Sequence, residues 1–176
     1  MAYSNWTLES VVPTFQLEKI DTVGLFSEIE PVTPSEYLTM GLAKKAPLAT
    51  AIGTEKARSE MIVADVLVDL LDHLDRRISL FSGIDFNVDV ENGLTGVCDF
   101  LVSLSPNQFY LEAPVIILVE AKNTDVKLGL GQCVAEMLAA QRFNAEKGNH
   151  IPYIITCSHG RSNGQLTSSR AAISRR

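Results

Sequence analysis

The sequence predicts an α/β sandwich in which helices flank a central mixed β-sheet. Residues 54–77 have the apolar spacing of a long helix, whereas residues 83–104 alternate with a period of two, as strands do. Residues 115–119 form an uninterrupted apolar run with the length of a strand buried on both faces. A second helical stretch and a last apolar segment follow. The predicted order is therefore helix, three strands, helix, strand.

The residues ahead of the long helix carry weaker signals. Residues 1–32 contain two prolines and no sustained period, so we expect a poorly defined arm with a short helix near residues 24–30. Residues 33–45 open with Thr-Pro-Ser, a helix-start signal, and continue with apolar side chains on one helical face. A short helix is expected there, and Thr54 is placed to cap the long helix that follows.

Three consecutive strands are expected to form a meander. Residues 83–90 alternate between apolar and polar side chains, and Glu-Asn-Gly at 91–93 offers a hairpin turn. Residues 94–104 return as the second strand. A connection bounded by prolines, residues 105–114, then leads into the third strand at 115–122.

The chain after the third strand predicts one more helix and strand. Residues 126–148 share an apolar face over about five turns and end in a glycine, where a C-cap belongs. Residues 151–156 follow as a strand, which a right-handed crossover places parallel to the third strand. Residues 158–176 are basic, with few apolar side chains and no period, so we expect a loosely ordered tail. An arm at 1–53 and a core at 54–157 precede that tail.

The charge of the chain is unevenly distributed. Its formal net charge is −6, yet residues 148–176 carry four arginines and no acid. The rest of the chain carries 11 basic and 21 acidic side chains, a net charge of −10. An acidic body argues against broad electrostatic binding of nucleic acid, and therefore against a module that only binds nucleic acid.

The apolar segments and the cysteines bear on the compartment. The longest apolar run falls far short of the roughly 20 residues that cross a bilayer. No basic segment leads into an apolar one at the N-terminus, so no secretory signal or membrane contact is expected. Cys98, Cys133 and Cys157 lie in apolar segments and suit reduced core residues. We expect a cytoplasmic protein.

Four charged residues occupy the ends or the apolar faces of predicted core elements. Glu120 and Lys122 lie two positions apart at the end of the third strand, so they project from the same face. Asp99 is a lone acid in the apolar second strand, and antiparallel pairing would bring it opposite Glu120. Glu60 is in line with the apolar stripe of the long helix, which should face the sheet. We expect these groups to converge.

Three converging carboxylates would repel one another unless a cation lay between them. Together with Lys122 their charges sum to −2, which one Mg²⁺ neutralises. Mg²⁺ prefers octahedral oxygen ligands and keeps several waters, so two or three carboxylates and a backbone carbonyl suffice. The ion would lower the pKa of a bound water and polarise a phosphate oxygen, while Lys122 orients that water. This interpretation predicts a site for phosphodiester hydrolysis.

The pattern is an acid on one strand, an acid-x-lysine triplet on the next and an acid on a preceding helix: Asp99, Glu120-Ala121-Lys122 and Glu60. It resembles the PD-(D/E)xK nuclease superfamily, which has the restriction-endonuclease-like fold, over residues 54–157. The resemblance implies that Asp99, Glu120 and the carbonyl of Ala121 bind metal. It also implies that Glu60 completes the metal site and that Lys122 is catalytic. Mg²⁺ as cofactor, Mn²⁺ as a substitute, DNA as substrate and possible homodimers are further implications.

Many members of that superfamily have a glutamine on the helix after the motif strand, and Gln132 occupies this place. The resemblance thus adds Gln132 to the catalytic residues. Two positions depart from the pattern. Cys98 stands where a proline usually precedes the acid, and Glu136 stands where some branches have a tyrosine.

Simpler interpretations exist for each of these residues. Glu120 and Lys122 could form a salt bridge at a strand end, and Glu60 could be favoured by the helix dipole. Asp99 could be an outward-facing strand acid, and Gln132 a residue of the first helical turn bonded to local backbone. A second acid-x-lysine triplet at 125–127 shows that the triplet alone is weakly specific.

The main hypothesis is a Mg²⁺-dependent nuclease that hydrolyses DNA phosphodiester bonds with a metal-activated water. The alternative is a catalytically silent protein of the same fold that binds nucleic acid or protein. Intact acid and lysine positions favour the enzyme, whereas the acidic body favours the alternative. Phosphotransfer on a smaller substrate is a third hypothesis, because fold alone does not fix function.

Overall fold

The computed structural model describes residues 2–18, 28–121, 126–151, 153–162 and 165–174. Its helices, in chain order, are a 3₁₀ turn (Tyr3–Asn5), α1 (Leu8–Thr14), α2 (Glu36–Ile52), α3 (Glu55–Arg58), a π-helical turn (Ser59–Val63), α4 (Ala64–His73) and α5 (Val126–Glu146). Its strands are β1 (Ser79–Asp85), β2 (Val97–Ser103), β3 (Val115–Ala121), β4 (Tyr153–Ser162) and β5 (Gln165–Ser174).

In the described part of the chain these strands form one mixed sheet in the order β1-β2-β3-β4-β5. Antiparallel pairing joins β1 to β2 and β2 to β3. β3 pairs parallel to β4, as the helical crossover through α5 requires, and β5 pairs antiparallel to β4. The predicted meander and the parallel fourth strand are confirmed.

Helices cover both faces of the sheet. On one face α5, α1 and the 3₁₀ turn enclose a core around Leu101 and Leu118. On the other face α4 packs on a second core around Val102 and Val119. Alternation along each strand divides neighbouring side chains between the two cores. The predicted α/β class, with a mixed sheet between helices, is confirmed.

The N-terminal segment departs from the predicted poorly defined arm. Its first residues form the 3₁₀ turn and α1, and Tyr3 and Trp6 are buried. The Tyr3 hydroxyl donates to the carbonyl oxygen of Phe86 at 2.5 Å, and the Trp6 indole Nε1 donates to that of Gly93 at 3.0 Å. The 3₁₀ turn and α1 are too short to produce a repeating apolar pattern in the sequence, which is why no helix was predicted there. Of the short helix expected near 24–30, residues 24–27 lie outside the described residues, and 28–30 are not helical.

The helix predicted at 33–45 is longer than expected. α2 begins after the Ser35 cap, continues through Pro47 and ends at Gly53, whose φ of 75° is left-handed. A proline removes one helical hydrogen bond, but α2 packs along the π-helical turn and buries Ala49 beyond the proline. This packing outweighs the local stop signal.

Two strand boundaries also differ from the prediction. β1 begins at Ser79 rather than at residue 83, and the apolar positions Phe86 and Val88 belong to the β1–β2 connection. They alternate because they pack on the core beside α5, where the Phe86 ring meets that of Phe143. The turn expected at 91–93 is present, closed by a bridge between Asp89 and Leu94.

The C-terminal stretch was expected to be a loosely ordered tail at 158–176. Instead β4 continues to Ser162, and β5 pairs with it from Gln165 to Ser174. Antiparallel pairing is made by backbone groups, so an edge strand can form without an apolar period. That is why the sequence pattern gave no signal for β5.

Candidate functional site

Two of the predicted carboxylates line the same cleft. It has a volume of about 360 Å³, and its lining residues come from the start of the long helix and from β1 and β2: Glu55, Lys56, Ser59, Glu60, Ser82, Gly83 and Asp99. Glu60 and Asp99 are 39 positions apart in the sequence, and only the packing of helix on sheet brings them together. Both residues therefore line one cleft, and the predicted convergence of their carboxylates on one ion stays a prediction.

Glu60 reaches the cleft from the rim rather than from the core. It belongs to the π-helical turn Ser59–Val63, which connects α3 to α4. A π-helical turn contains more residues than the 3.6 of an α-helical turn. Residues up to the turn are therefore rotated about the helix axis relative to the apolar stripe of α4, and Glu60 no longer lies in line with it. The side chain of Glu60 is 56% exposed, and its Oε1 lies 2.6 Å from Lys56 Nζ. The expectation that Glu60 faces the sheet from a core position is thus wrong.

Glu120 and Asp99 adjoin at the rim of the sheet. The register pairs Phe100 with Val119, so Asp99 and Glu120 follow as the next opposed positions. Glu120 is only 1% exposed, and its Oε1 lies 3.5 Å from the backbone nitrogen of Asp99, which donates to it. Antiparallel pairing of β2 and β3 therefore brings the Glu120 carboxylate to the backbone of Asp99, whereas the Asp99 side chain lines the cleft. A shared site for the two carboxylates stays a prediction.

The pKa of the Cys98 thiol reports the negative field around this pair. Burial raises that pKa well above its ordinary value, and the charges of Glu136, Glu120 and Asp99 raise it further. Three carboxylates therefore act on one buried point between β2, β3 and α5. Negative charge close to a buried position is a setting that a cation would favour.

Gln132 lies on α5 and makes a different contact from the one expected. Its Nε2 donates to Oε1 of Glu136 at 2.8 Å, one helical turn along α5. Glu136 is fully buried and Gln132 nearly so. Neither is among the described residues that line the Asp99 cleft. The spacing of four along one helix was the sequence signal for this pair.

The remaining predicted site residues lie at or beyond the end of the described range 28–121. Ala121 ends β3, so its backbone continues from Glu120 at the rim of the sheet. Lys122 lies outside the described residues, as does Asp125 of the second acid-x-lysine triplet. The predicted role of Lys122 stays a prediction.

The oxygen donors available here are of the kind that a hard divalent cation prefers. Asp99 lies within β2, and Glu120 and the carbonyl of Ala121 lie at the end of the neighbouring β3. Mg²⁺ keeps several waters among its ligands, so two or three protein oxygens would suffice. Glu60 shares the cleft with Asp99. Among the residues that the structure describes, no three His, Cys, Asp or Glu side chains form a ready metal cluster. Glu120 is not among the described residues that line the cleft, so a metal site would have to form between Asp99 in the cleft and Glu120 behind it.

Sequence reasoning missed the cationic member of the cleft. Lys56 lines it together with the hydroxyl-bearing Ser59 and Ser82. The signal was present, since Lys56 precedes Glu60 by four positions and shares its helical face.

Comparisons with family models, with curated proteins and with solved structures found no match to this chain. Within the described ranges, no helix combines the length and apolar character required to cross a bilayer. The functional proposal therefore depends on the residues of the cleft.

Proposed function

We propose that the protein is a Mg²⁺-dependent nuclease of the restriction-endonuclease-like sandwich type that hydrolyses phosphodiester bonds in DNA. One observation carries the proposal. Asp99 adjoins the buried Glu120 on the neighbouring strand and opens into the same cleft as Glu60. The buried Glu120 carboxylate is held at the end of β3, where an oxygen ligand for Mg²⁺ would be needed.

The chain's own groups have distinct roles in this proposal. Asp99, Glu120 and the Ala121 carbonyl would hold the ion, with Glu60 assisting from the rim. A bound Mg²⁺ supplies Lewis acidity toward a phosphate oxygen and a water. Burial of Glu120 among β2 and β3 fixes its carboxylate, so little reorganisation is needed when substrate binds. Lys122 follows Ala121 and is assigned the orientation of the attacking water.

Cleavage assays test the proposal directly. Plasmid DNA and a single-stranded oligonucleotide would be incubated with the wild type in Mg²⁺ and in EDTA. Asp99→Asn is the test variant, and Asp72→Asn is the matched control because Asp72 pairs with Arg76 away from the cleft. We expect cleavage only with Mg²⁺, a loss of roughly two orders of magnitude or more in Asp99→Asn, and wild-type rates in Asp72→Asn.

Calorimetric titration of Mn²⁺ separates the enzyme from the binding module. Wild type that binds Mn²⁺ through Asp99 but cuts neither substrate would reject the nuclease and favour a catalytically silent protein. Cleavage that survives both EDTA and Asp99→Asn would also reject the proposed site.

A further inference from the structure

Lys56 is the cation among the described residues that line the cleft, and the proposed mechanism gives it no role. Its Nζ lies 2.6 Å from Oε1 of Glu60, and both side chains line the cleft with Asp99. The Lys56 side chain is 81% exposed. An exposed pair at this spacing is worth a factor of only about two in an equilibrium constant. A divalent ion can therefore displace Lys56 from Glu60 at little cost.

The net charge of the cleft favours a phosphate as the next partner of Lys56 once a divalent ion has displaced it from Glu60. Its lining residues include three acids (Glu55, Glu60, Asp99) and one lysine, a net charge of −2. Glu120, which the proposed function assigns to the same ion, adds one more negative charge. One divalent ion then leaves these groups with a net charge of −1 if Lys56 is present and −2 if it is absent, so loss of Lys56 strengthens the repulsion of a phosphate. An ammonium on a long flexible stem can move from a carboxylate to a phosphate within reach.

The rest of the cleft suits a phosphate as well. Ser59 and Ser82 offer hydroxyl groups, and Gly83 has no side chain to fill the space. A Cβ at Gly83 would meet nothing within 4 Å, so the cleft is open above this residue. Backbone and hydroxyl groups can thus approach an oxyanion closely.

We propose that Lys56 binds a phosphate group of DNA and that Glu60 holds it in place until a divalent ion takes over Glu60. This inference rests on the proposed function and adds a substrate contact to the same site. The exchange makes Lys56 a competitor of the metal and a partner of the substrate. Its removal must then move the two affinities in opposite directions.

Lys56→Met tests the exchange, with Arg76→Met as the matched control. Arg76 forms the corresponding ion pair four positions from Asp72, at similar exposure, and is not among the described residues lining the cleft. Affinity for Mn²⁺ would be measured by calorimetry without DNA. Affinity for a fluorescein-labelled DNA duplex would be measured by anisotropy in Ca²⁺ across a series of NaCl concentrations.

Lys56→Met is expected to bind Mn²⁺ at least about twofold more tightly, because the competing ion pair is gone. The same variant is expected to bind DNA more weakly and to lower the slope of log affinity against log salt by about 0.9, the loss of one phosphate contact. Arg76→Met should match the wild type in both measurements. A change caused by damage to the fold would weaken both affinities together.

If Lys56→Met and Arg76→Met have the same Mn²⁺ affinity and the same salt dependence of DNA binding, the inference is wrong. That result would not contradict the proposed nuclease function. A parallel fall of both affinities would also overturn it. Wild type that binds neither Mn²⁺ nor the duplex would reject the proposed function itself, and the role of Lys56 with it.

Discussion

At the scale of single residues, two carboxylates are buried in the part of the chain that the structure describes. Glu120 is 1% exposed at the end of β3, and Glu136 is fully buried on α5. Burying a carboxylate costs several kcal/mol or more unless hydrogen bonds or opposite charge compensate it. Glu136 accepts from Gln132, and Glu120 accepts from the Asp99 backbone. These hydrogen bonds offset part of the free-energy cost of burying the two carboxylates.

The burial of Cys98 gives a prediction at this scale. The thiol is almost fully buried, and burial raises its pKa. Because the thiolate is the reactive form, Cys98 should resist alkylation in the folded protein. Peptide mapping by mass spectrometry after iodoacetamide treatment should find it protected in buffer and labelled in urea. Equal labelling rates in the two conditions would contradict the burial described for β2.

Glu112 gives a prediction about pH. Hydrogen bonds from Ser105 and then Asn107 lower the pKa of the Glu112 carboxyl below its ordinary value, and the Ser105 hydroxyl donates to Oε2 at 2.5 Å. A lowered pKa stabilises the fold above the ordinary value of 4.5, and this stabilisation disappears as the pH falls through the folded-state pKa. Ser105→Ala should therefore cost more stability at pH 7 than at pH 3.

Urea denaturation at a series of pH values measures this difference. In a Glu112→Gln background the cost of Ser105→Ala should no longer depend on pH, because the titrating group is absent. A pH-dependent cost in that background would assign the effect to another group.

The positions of candidate site residues could be predicted from the sequence where the geometry of paired strands determines them. Alternation and antiparallel pairing were enough to place the backbone of Asp99 beside the Glu120 carboxylate. They were not enough for Glu60, because its position was derived from a 3.6-residue period that the turn Ser59–Val63 does not follow. No residue pattern in that segment signals a π-turn. The environment of Lys122 stays a prediction.

At the scale of elements, the approach of the N-terminal segment to α5 depends on one glycine. A Cβ at Gly131 would lie 2.3 Å from the carbonyl oxygen of Trp6 and 2.5 Å from Cα of Thr7. Both are backbone atoms, which cannot turn aside as a flexible side chain can. The helix and the segment can touch at this distance only because residue 131 has no side chain.

Gly131→Ala should destabilise the protein by about 1–3 kcal/mol or more, because the overpacked backbone must shift. Gly41→Ala on α2 is the control, since its Cβ would meet only Asp65 Oδ2 at 3.4 Å. There the better helix propensity of alanine should stabilise by about 0.5–1 kcal/mol. Chemical denaturation of both variants measures the contrast, and an equal effect of the two substitutions would reject the close approach.

Elements could be predicted where an apolar period is long. The helices at 55–73 and 126–146 follow such periods, and the strand β3 follows an uninterrupted apolar run. All three lie close to their predicted bounds. The 3₁₀ turn at Tyr3–Asn5 and the strand β5 do not, because one is too short to repeat and the other pairs through its backbone. Their formation depends on partners distant in sequence, which a local pattern does not contain.

At the scale of the whole molecule, the N-terminal segment fastens the β1–β2 connection to α5. The backbone nitrogen of Tyr3 donates to the carbonyl oxygen of Thr95 at 2.9 Å, a contact that no local sequence pattern predicts. Trp6 stacks obliquely with Phe15 at 5.3 Å and donates to Gly93. The segment therefore completes the core on the α5 face of the sheet.

Trp6→Ala should cost about 3–5 kcal/mol of stability, as expected for removal of a buried aromatic side chain. Trp6→Phe keeps most of the ring but leaves the Gly93 carbonyl without the indole donor, so its cost should be nearer 1–3 kcal/mol. Thermal and urea unfolding of both variants measure the two costs. Wild-type stability in Trp6→Ala would show that the segment is not part of the core.

The contact between Trp6 and Gly131 joins residues that are 125 positions apart in the sequence. Pairings between such distant residues slow folding, because the surface of α5 must form before the N-terminal segment can pack on it. Until then Tyr3, Trp6 and Val11 expose apolar surface that a holdase chaperone can bind.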